Sequence, residues 1–231
     1  MRLKDPPLLA AAVSTGALVA LAGHLNHKVE LIWLFHPLPL LLALVVAWQR
    51  GRLANHYAQF ITLGLVLSLI ADVLRIASGQ WAAAAGVALL ASLSTLRAFT
   101  AEFSLRLVRW PLVLGLVFAL AVILVLWPVL HGSLTFIVPG GLLVLGLTAG
   151  QAGERARVLS RNPSHEGRPG GTMLAALGAM LLLLSCSMAL IDLLRWPNPW
   201  SAIWILVTWW AGQTMLALSI PERHDETPRV G

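Results

Sequence analysis

The chain has 231 residues, 58% of them apolar and only 11% charged, whereas soluble domains carry about 25% charged residues. That composition excludes an ordinary soluble domain and defines a small integral membrane protein. The net charge of +6 sits mostly on loop Arg and Lys residues, so it reads as topology and contact with anionic headgroups, not as nucleic-acid binding.

Charge-poor runs near the ~20 residues that cross a bilayer predict eight helices, at roughly 7–25, 30–48, 57–77, 80–101, 110–129, 133–151, 171–194 and 198–220. No alternation of period two recurs with turn signals, so a barrel is not expected. Helices are the remaining way to satisfy the backbone in hydrocarbon. The fold class is therefore all-α: a polytopic bundle of eight transmembrane helices. It forms one domain over residues 1–220, followed by a short polar tail at 221–231.

In the first run, Arg2 and Lys4 precede an apolar stretch, and Ala20-Leu21-Ala22 resembles a signal-peptidase site. Asp5-Pro6-Pro7 interrupts the basic segment and the run is long enough to span, so a retained helix is expected. The second run holds His36 before Pro37, a few residues inside its first end. Between Trp110 and Gly153 there is no Asp, Glu, Lys or Arg. That stretch is long enough for two spans, turned at Trp127-Pro128 and His131-Gly132-Ser133. Gln151 to Gly170 reads as a flexible connector.

The third run, Gly64-Leu-Val-Leu-Ser68-Leu-Ile-Ala-Asp72-Val-Leu-Arg75, is the most informative. Gly64, Ser68 and Asp72 are four residues apart and Arg75 follows at three, which makes one small and polar stripe on a Leu, Ile and Val helix. A carboxylate at membrane depth marks a functional site by default, because facing lipid costs it several kcal/mol. The plainer alternative is an interfacial pair of Asp72 with Arg75.

Counting along the helices at ~1.5 Å per residue, His36, Asp72 and Cys186 fall at similar depth and are expected to converge. Trp209 and Trp210 lie inside the last run next to Gln213. Arg97 lies in the inner third and is expected to snorkel. Asp192 is expected to pair with Arg195 at the interface. The single Cys186 excludes an intramolecular disulfide, and a thiol buried in hydrocarbon reads first as packing.

Sidedness follows from the cations. Arg2, Lys4, Arg50, Arg52, Arg106, Arg109, Arg155, Arg157, Arg161, Arg168, Arg223 and Arg229 fall on one side, and Lys28, Arg75 and Arg195 on the other. Twelve against three places both termini in the cytoplasm of a cell membrane crossed many times, expected to be a bacterial inner membrane. A faint likeness between Asp72-Val-Leu-Arg75 and Asp192-Leu-Leu-Arg195 hints at a parallel repeat. There is no Gly-x-Ser-x-Gly, no His-Glu-x-x-His, no phosphate loop and no cysteine pair for metal. No cofactor or metal is expected.

Four segments together resemble the YhhN-like family of lysoplasmalogenases. His36-Pro37-Leu38 resembles the family's Lys-Pro-Leu segment. Gly64-Leu65-Val66-Leu67-Ser68-Leu69-Ile70-Ala71-Asp72 resembles its Gly-Leu-x-x-Ser-x-x-Gly-Asp. Ser185-Cys186-Ser187 matches its Ser-Asp-Ser in part, and Thr208-Trp209-Trp210-Ala211-Gly212-Gln213 is similar to its Thr-Tyr-Tyr-x-x-Gln. The departures are His36 for lysine, Cys186 for the second aspartate, and Ser94 and Arg97 for a histidine and a tyrosine.

The resemblance implies hydrolysis of the vinyl ether bond of lysoplasmalogen lipids, giving an aldehyde and a glycerophospho-base. Under it Asp72 is the acid, His36 a base or anion partner and Gln213 an orienting donor. Ser68, Cys186, Trp209 and Trp210 would contact the lipid, with membrane lipids the expected partners. A buried thiol stays protonated and does not replace a carboxylate as base. The alternatives are therefore a family member without catalysis that binds lipid or a partner, and a small transporter.

Overall fold

The computed structural model describes residues 15–23, 26, 28, 35–51, 55–101, 110–161, 169–198 and 200–221. These are helical, with no strand among them: α1 (Leu38–Gly51), α2 (His56–Ser78), α3 (Trp81–Thr100), α4 (Trp110–Leu126), α5 (Leu134–Arg161), α6 (Pro169–Leu194) and α7 (Ser201–Ser219), with a 3₁₀ turn at Trp127–Val129. A further helical stretch covers residues 15–23. Six helices, α2 to α7, are long and apolar enough to cross a membrane, and α1 is a shorter apolar helix. The beginning of the first predicted run, Arg52, Arg106 and Arg109, and the tail beyond residue 221 lie outside the described residues.

The chain runs up and down between two ends. The upper end carries the α2–α3, α4–α5 and α6–α7 turns. Around the bundle the neighbours run α1, α2, α3, α5, α6, α7 and back to α1, with α4 packed outside against α5. α2 shows why the polar stripe points inward. Ile61, Leu65, Ser68 and Asp72 are buried, while Leu63, Val66, Ile70 and Val73 are exposed on the other face. The apolar face meets lipid, and the stripe meets protein. The Asn55 side chain caps this helix by accepting from Ala58 N at 2.8 Å, and Gly79 ends it at φ 62°. Only glycine adopts that left-handed conformation without strain.

Two predicted elements differ from what forms. Residues 30–34 of the predicted helix at 30–48 lie outside the described residues; in the rest of it the chain bends at His36–Pro37 and α1 starts only at Leu38. Pro37 and Pro39 have no N–H to give a helix. The Pro37 carbonyl instead takes the first bond of α1, from Leu41 N at 2.9 Å.

At the lower end, α5 runs on ten residues past Gln151 through Arg161, where a connector was expected. Ala149, Ala152, Ala156 and Leu159 are all buried, at spacings of three and four that make one packed face. That packing sustains the helix beyond the apolar span.

The lower half is closed. Tyr57, Ile61, Leu65, Phe99, Ala152 and Leu216 belong to a continuous core, and Tyr57 Oη and Ser219 Oγ share a hydrogen bond of 2.6 Å. The upper half is hollow.

Candidate functional site

Helices α2, α3, α5, α6 and α7 enclose a cavity of about 480 Å³, within the roughly 300–1,000 Å³ range of small-molecule sites. Its lining runs from Thr148 and Gln213 near mid-depth to Trp81, Asp192 and Leu193 at the upper helix ends. Most of the wall is Ala, Leu and Ile. His36, Ser68, Asp72, Arg75, Trp209 and Gln213 form a polar group on the α2–α7 side, and scattered Ser and Thr side chains lie elsewhere on the wall.

Asp72 is the centre of that polar group. Its Oδ2 accepts a hydrogen bond from Trp209 Nε1 at 3.1 Å. His36 Nε2 stands 3.7 Å from the same oxygen, and Arg75 Nη2 stands 3.8 Å from Oδ1. Arg75 Nη2 is also 3.0 Å from His36 Nε2. A guanidinium can only donate, so in this contact the His36 nitrogen accepts. One turn below, Gln213 Nε2 donates to Ser68 Oγ at 3.1 Å, both groups being buried.

The break before α1 places His36. The bend at His36–Pro37 turns a fully buried imidazole toward α2, 39 residues further on. Broken helices at membrane depth are tolerated where their backbone is covered by protein or lines a cavity.

Of the residues singled out in the sequence, His36, Ser68, Asp72, Cys186, Trp209 and Gln213 line the cavity. Trp210 does not. Adjacent helical residues point about 100° apart, and Trp210 packs edge-on against His36, ring centroids 5.6 Å apart, and against Ala20 and Leu206. Gly64 also leaves the stripe's common surface. It is a contact of α2 with α3, where a Cβ would come 2.7 Å from Thr95 Oγ1 and 3.3 Å from the Ala91 carbonyl.

Asp192 does not pair with Arg195 as expected. Its Oδ1 accepts from Asn198 N at 2.7 Å and Ser201 Oγ at 2.5 Å, tying the α6–α7 turn, while Arg195 lies over the Trp196 ring. Arg97 is exposed near the lower end of α3, far from Asp72.

Arg75 is the residue whose place in the site sequence reasoning missed. Its position three after Asp72 put it on the right face, but its contact with His36 bridges two distant segments and has no local signature. Among the described residues, no three His, Cys, Asp or Glu side chains come together as a metal site would require.

The described residues thus form a membrane-type helical bundle with a largely apolar cavity and, on its wall, a buried, hydrogen-bonded carboxylate. The model of the YhhN family matches residues 31–220, and the chain belongs to that family. It is a multi-pass membrane protein. No curated protein and no solved structure matches it.

Proposed function

We propose that the protein hydrolyses the vinyl ether bond of lysoplasmalogen-type lipids from within a cell membrane, a bacterial inner membrane with both termini in the cytoplasm. The observation that carries this reading is the Asp72 carboxyl, buried and hydrogen-bonded by Trp209 Nε1, on the wall of an otherwise apolar cavity.

Vinyl ether cleavage needs few parts. A proton adds to the outer carbon of the double bond, and the electron pair of the double bond forms the new C–H bond. The carbon bearing oxygen becomes an oxocarbenium ion. Water adds there and loses a proton, and the hemiacetal then breaks its bond to the glycerol oxygen, which leaves as an alcohol. One water is consumed, and no oxidant or reductant takes part.

Asp72 supplies the first proton as general acid and, as carboxylate, takes one back from the attacking water. The nascent cation forms beside that carboxylate, away from bulk water, where opposite charge is felt strongly. Trp209 fixes the carboxyl plane. His36 Nε2 is engaged by Arg75, so its role here is to hold the guanidinium and not to act as base. Gln213 and Ser68 make the polar floor one turn below.

The test is aldehyde release from a lysoplasmalogen by the purified protein. Absence of release from a folded sample overturns the reading.

Cys186 favours a second one. It lines the cavity where the resemblance puts a second aspartate, so the site would retain lipid without turning it over. On that reading wild type releases no aldehyde, and Cys186→Asp restores release. A melting control is needed, because a new buried carboxylate costs stability.

A further inference from the structure

The hydrolytic steps leave the outward side of Arg75 unused. Its Nη2 faces His36 and Asp72, at 3.0 and 3.8 Å, yet Nε and Nη1 have no protein partner among the described residues. The side chain is 31% exposed, its guanidinium lies over the Trp81 ring at 5.7 Å, and both residues line the cavity. Three residues of helix put the Arg75 backbone ~4.5 Å nearer the upper end than that of Asp72. The other charged group on this rim, Asp192, is committed to Asn198 and Ser201.

The cavity thus presents an apolar interior, a reactive carboxyl, and above it a cation with N–H donors still open. A guanidinium with open donors matches phosphate oxygens in charge and in hydrogen bonding. The ligand it fits is a single-chain amphiphile whose phosphate lies a few bonds from the head of its chain.

We propose that Arg75 is the phosphate anchor of the cavity. Its open N–H donors take the phosphate of a lysophospholipid, and the glycerol spans the helical turn down to Asp72. The chain lies along the apolar wall. This rests on the hydrolytic reading for its choice of lipid, but the binding it describes needs no turnover.

The test therefore uses ligands without a vinyl ether, titrated calorimetrically into the full-length protein in lipid nanodiscs. They are a saturated 1-alkyl lysophosphatidylethanolamine, the same 1-alkylglycerol lacking phosphate, and inorganic phosphate. Wild type is expected to bind the phospholipid at least about tenfold more tightly than the alkylglycerol, as one charge-assisted contact provides. In Arg75→Gln that preference falls to within about threefold, and Arg75→Lys, which keeps a point charge without the delocalised guanidinium, lies between.

Equal binding of the two lipids by wild type overturns the anchor, and that comparison stands even if a variant fails to fold. A preference that survives Arg75→Gln also overturns it. Inorganic phosphate binding as tightly as the phospholipid assigns the site to free phosphate and overturns the lipid assignment. Aldehyde release is measured separately. Release without phosphate preference removes the anchor alone, and preference without release removes hydrolysis alone.

Discussion

Asp72 is held by neighbours of different kinds, and their chemistry sets an order of importance. The carboxyl moves the proton, so Asp72→Asn is expected to lower aldehyde release by about 10²–10⁴-fold, the usual contribution of a general acid. Trp209 only orients it. Trp209→Phe keeps the ring and removes the Nε1–H that reaches Oδ2; a hydrogen bond to a charged group is worth about 1.5–3 kcal/mol, so the loss should be about ten- to a hundredfold. Melting curves near wild type for both variants show that the fold is intact. An Asp72→Asn enzyme that turns over normally would remove Asp72 from the chemistry.

At this scale the sequence was informative wherever a polar side chain stood alone in an apolar run. Asp72, Ser68, Gln213 and Trp209 were found that way. Trp210 was misplaced because the sequence does not say which of two neighbouring tryptophans faces inward. Arg75 was missed because an arginine one turn from an aspartate near a helix end reads as a local pair, and its His36 contact exists only through tertiary packing.

Between helices, closeness of approach matters more than hydrophobicity, since lipid tails are as apolar as the side chains they would replace. The α6–α7 seam depends on this. A Cβ at Gly178 would lie 2.8 Å from the Gly212 carbonyl, and one at Gly212 3.0 Å from the Gly178 carbonyl. Backbone atoms cannot swing aside, so Gly178→Ala should force the helices apart and cost about 1–3 kcal/mol, as overpacking does. Gly86 in α3 has no heavy atom within 4 Å of its would-be Cβ. There Gly86→Ala should be neutral or stabilising by up to about 1 kcal/mol. Thermal melts in one detergent compare the pair, and equal shifts would contradict the close-packed seam. Long apolar helices were legible to within a residue or two, as α2 and α3 show. The extension of α5 was not, because Glu154, Arg155 and Arg157 masked the small-residue face of Ala149, Ala152 and Ala156. Pro37 stood inside the helix expected at 30–48, so the break before α1 was not anticipated, and its consequence, a buried His36 aimed at α2, required the packed bundle.

For the molecule as a whole, the helical stretch at 15–23 and the sidedness of the cations lead to linked predictions. Ala20 is fully buried against Leu206 and Trp210, and Trp210 in turn backs His36. Cleavage after Ala22 would strip the cover from that stack, so the mature protein should keep this segment, and mass spectrometry should find no chain starting at Gly23. The described cations sort by end. Arg50, Arg97, Arg155, Arg157 and Arg161 lie toward the lower end, while Arg75 and Arg195, with Lys28 after the first helical stretch, fall on the upper side. Two of the three are tied down, Arg75 in the site and Arg195 over Trp196. Their local structural roles explain two of the three departures, and the exposed Lys28 is the third. By the excess of Lys and Arg in cytoplasmic loops, the lower end is predicted to face the cytoplasm and the cavity mouth, with Trp81 and Asp192, to face outward. Reporter fusions at Gln49, Arg161 and the C-terminus should report cytoplasm, and fusions near Gly79, Gly132 and Pro197 the opposite side. The C-terminal fusion decides between this and the inverted arrangement. If it is external, the mouth of the cavity opens toward the cytoplasm and lysolipid must be drawn from the inner leaflet; if it is cytoplasmic, the outer leaflet supplies it.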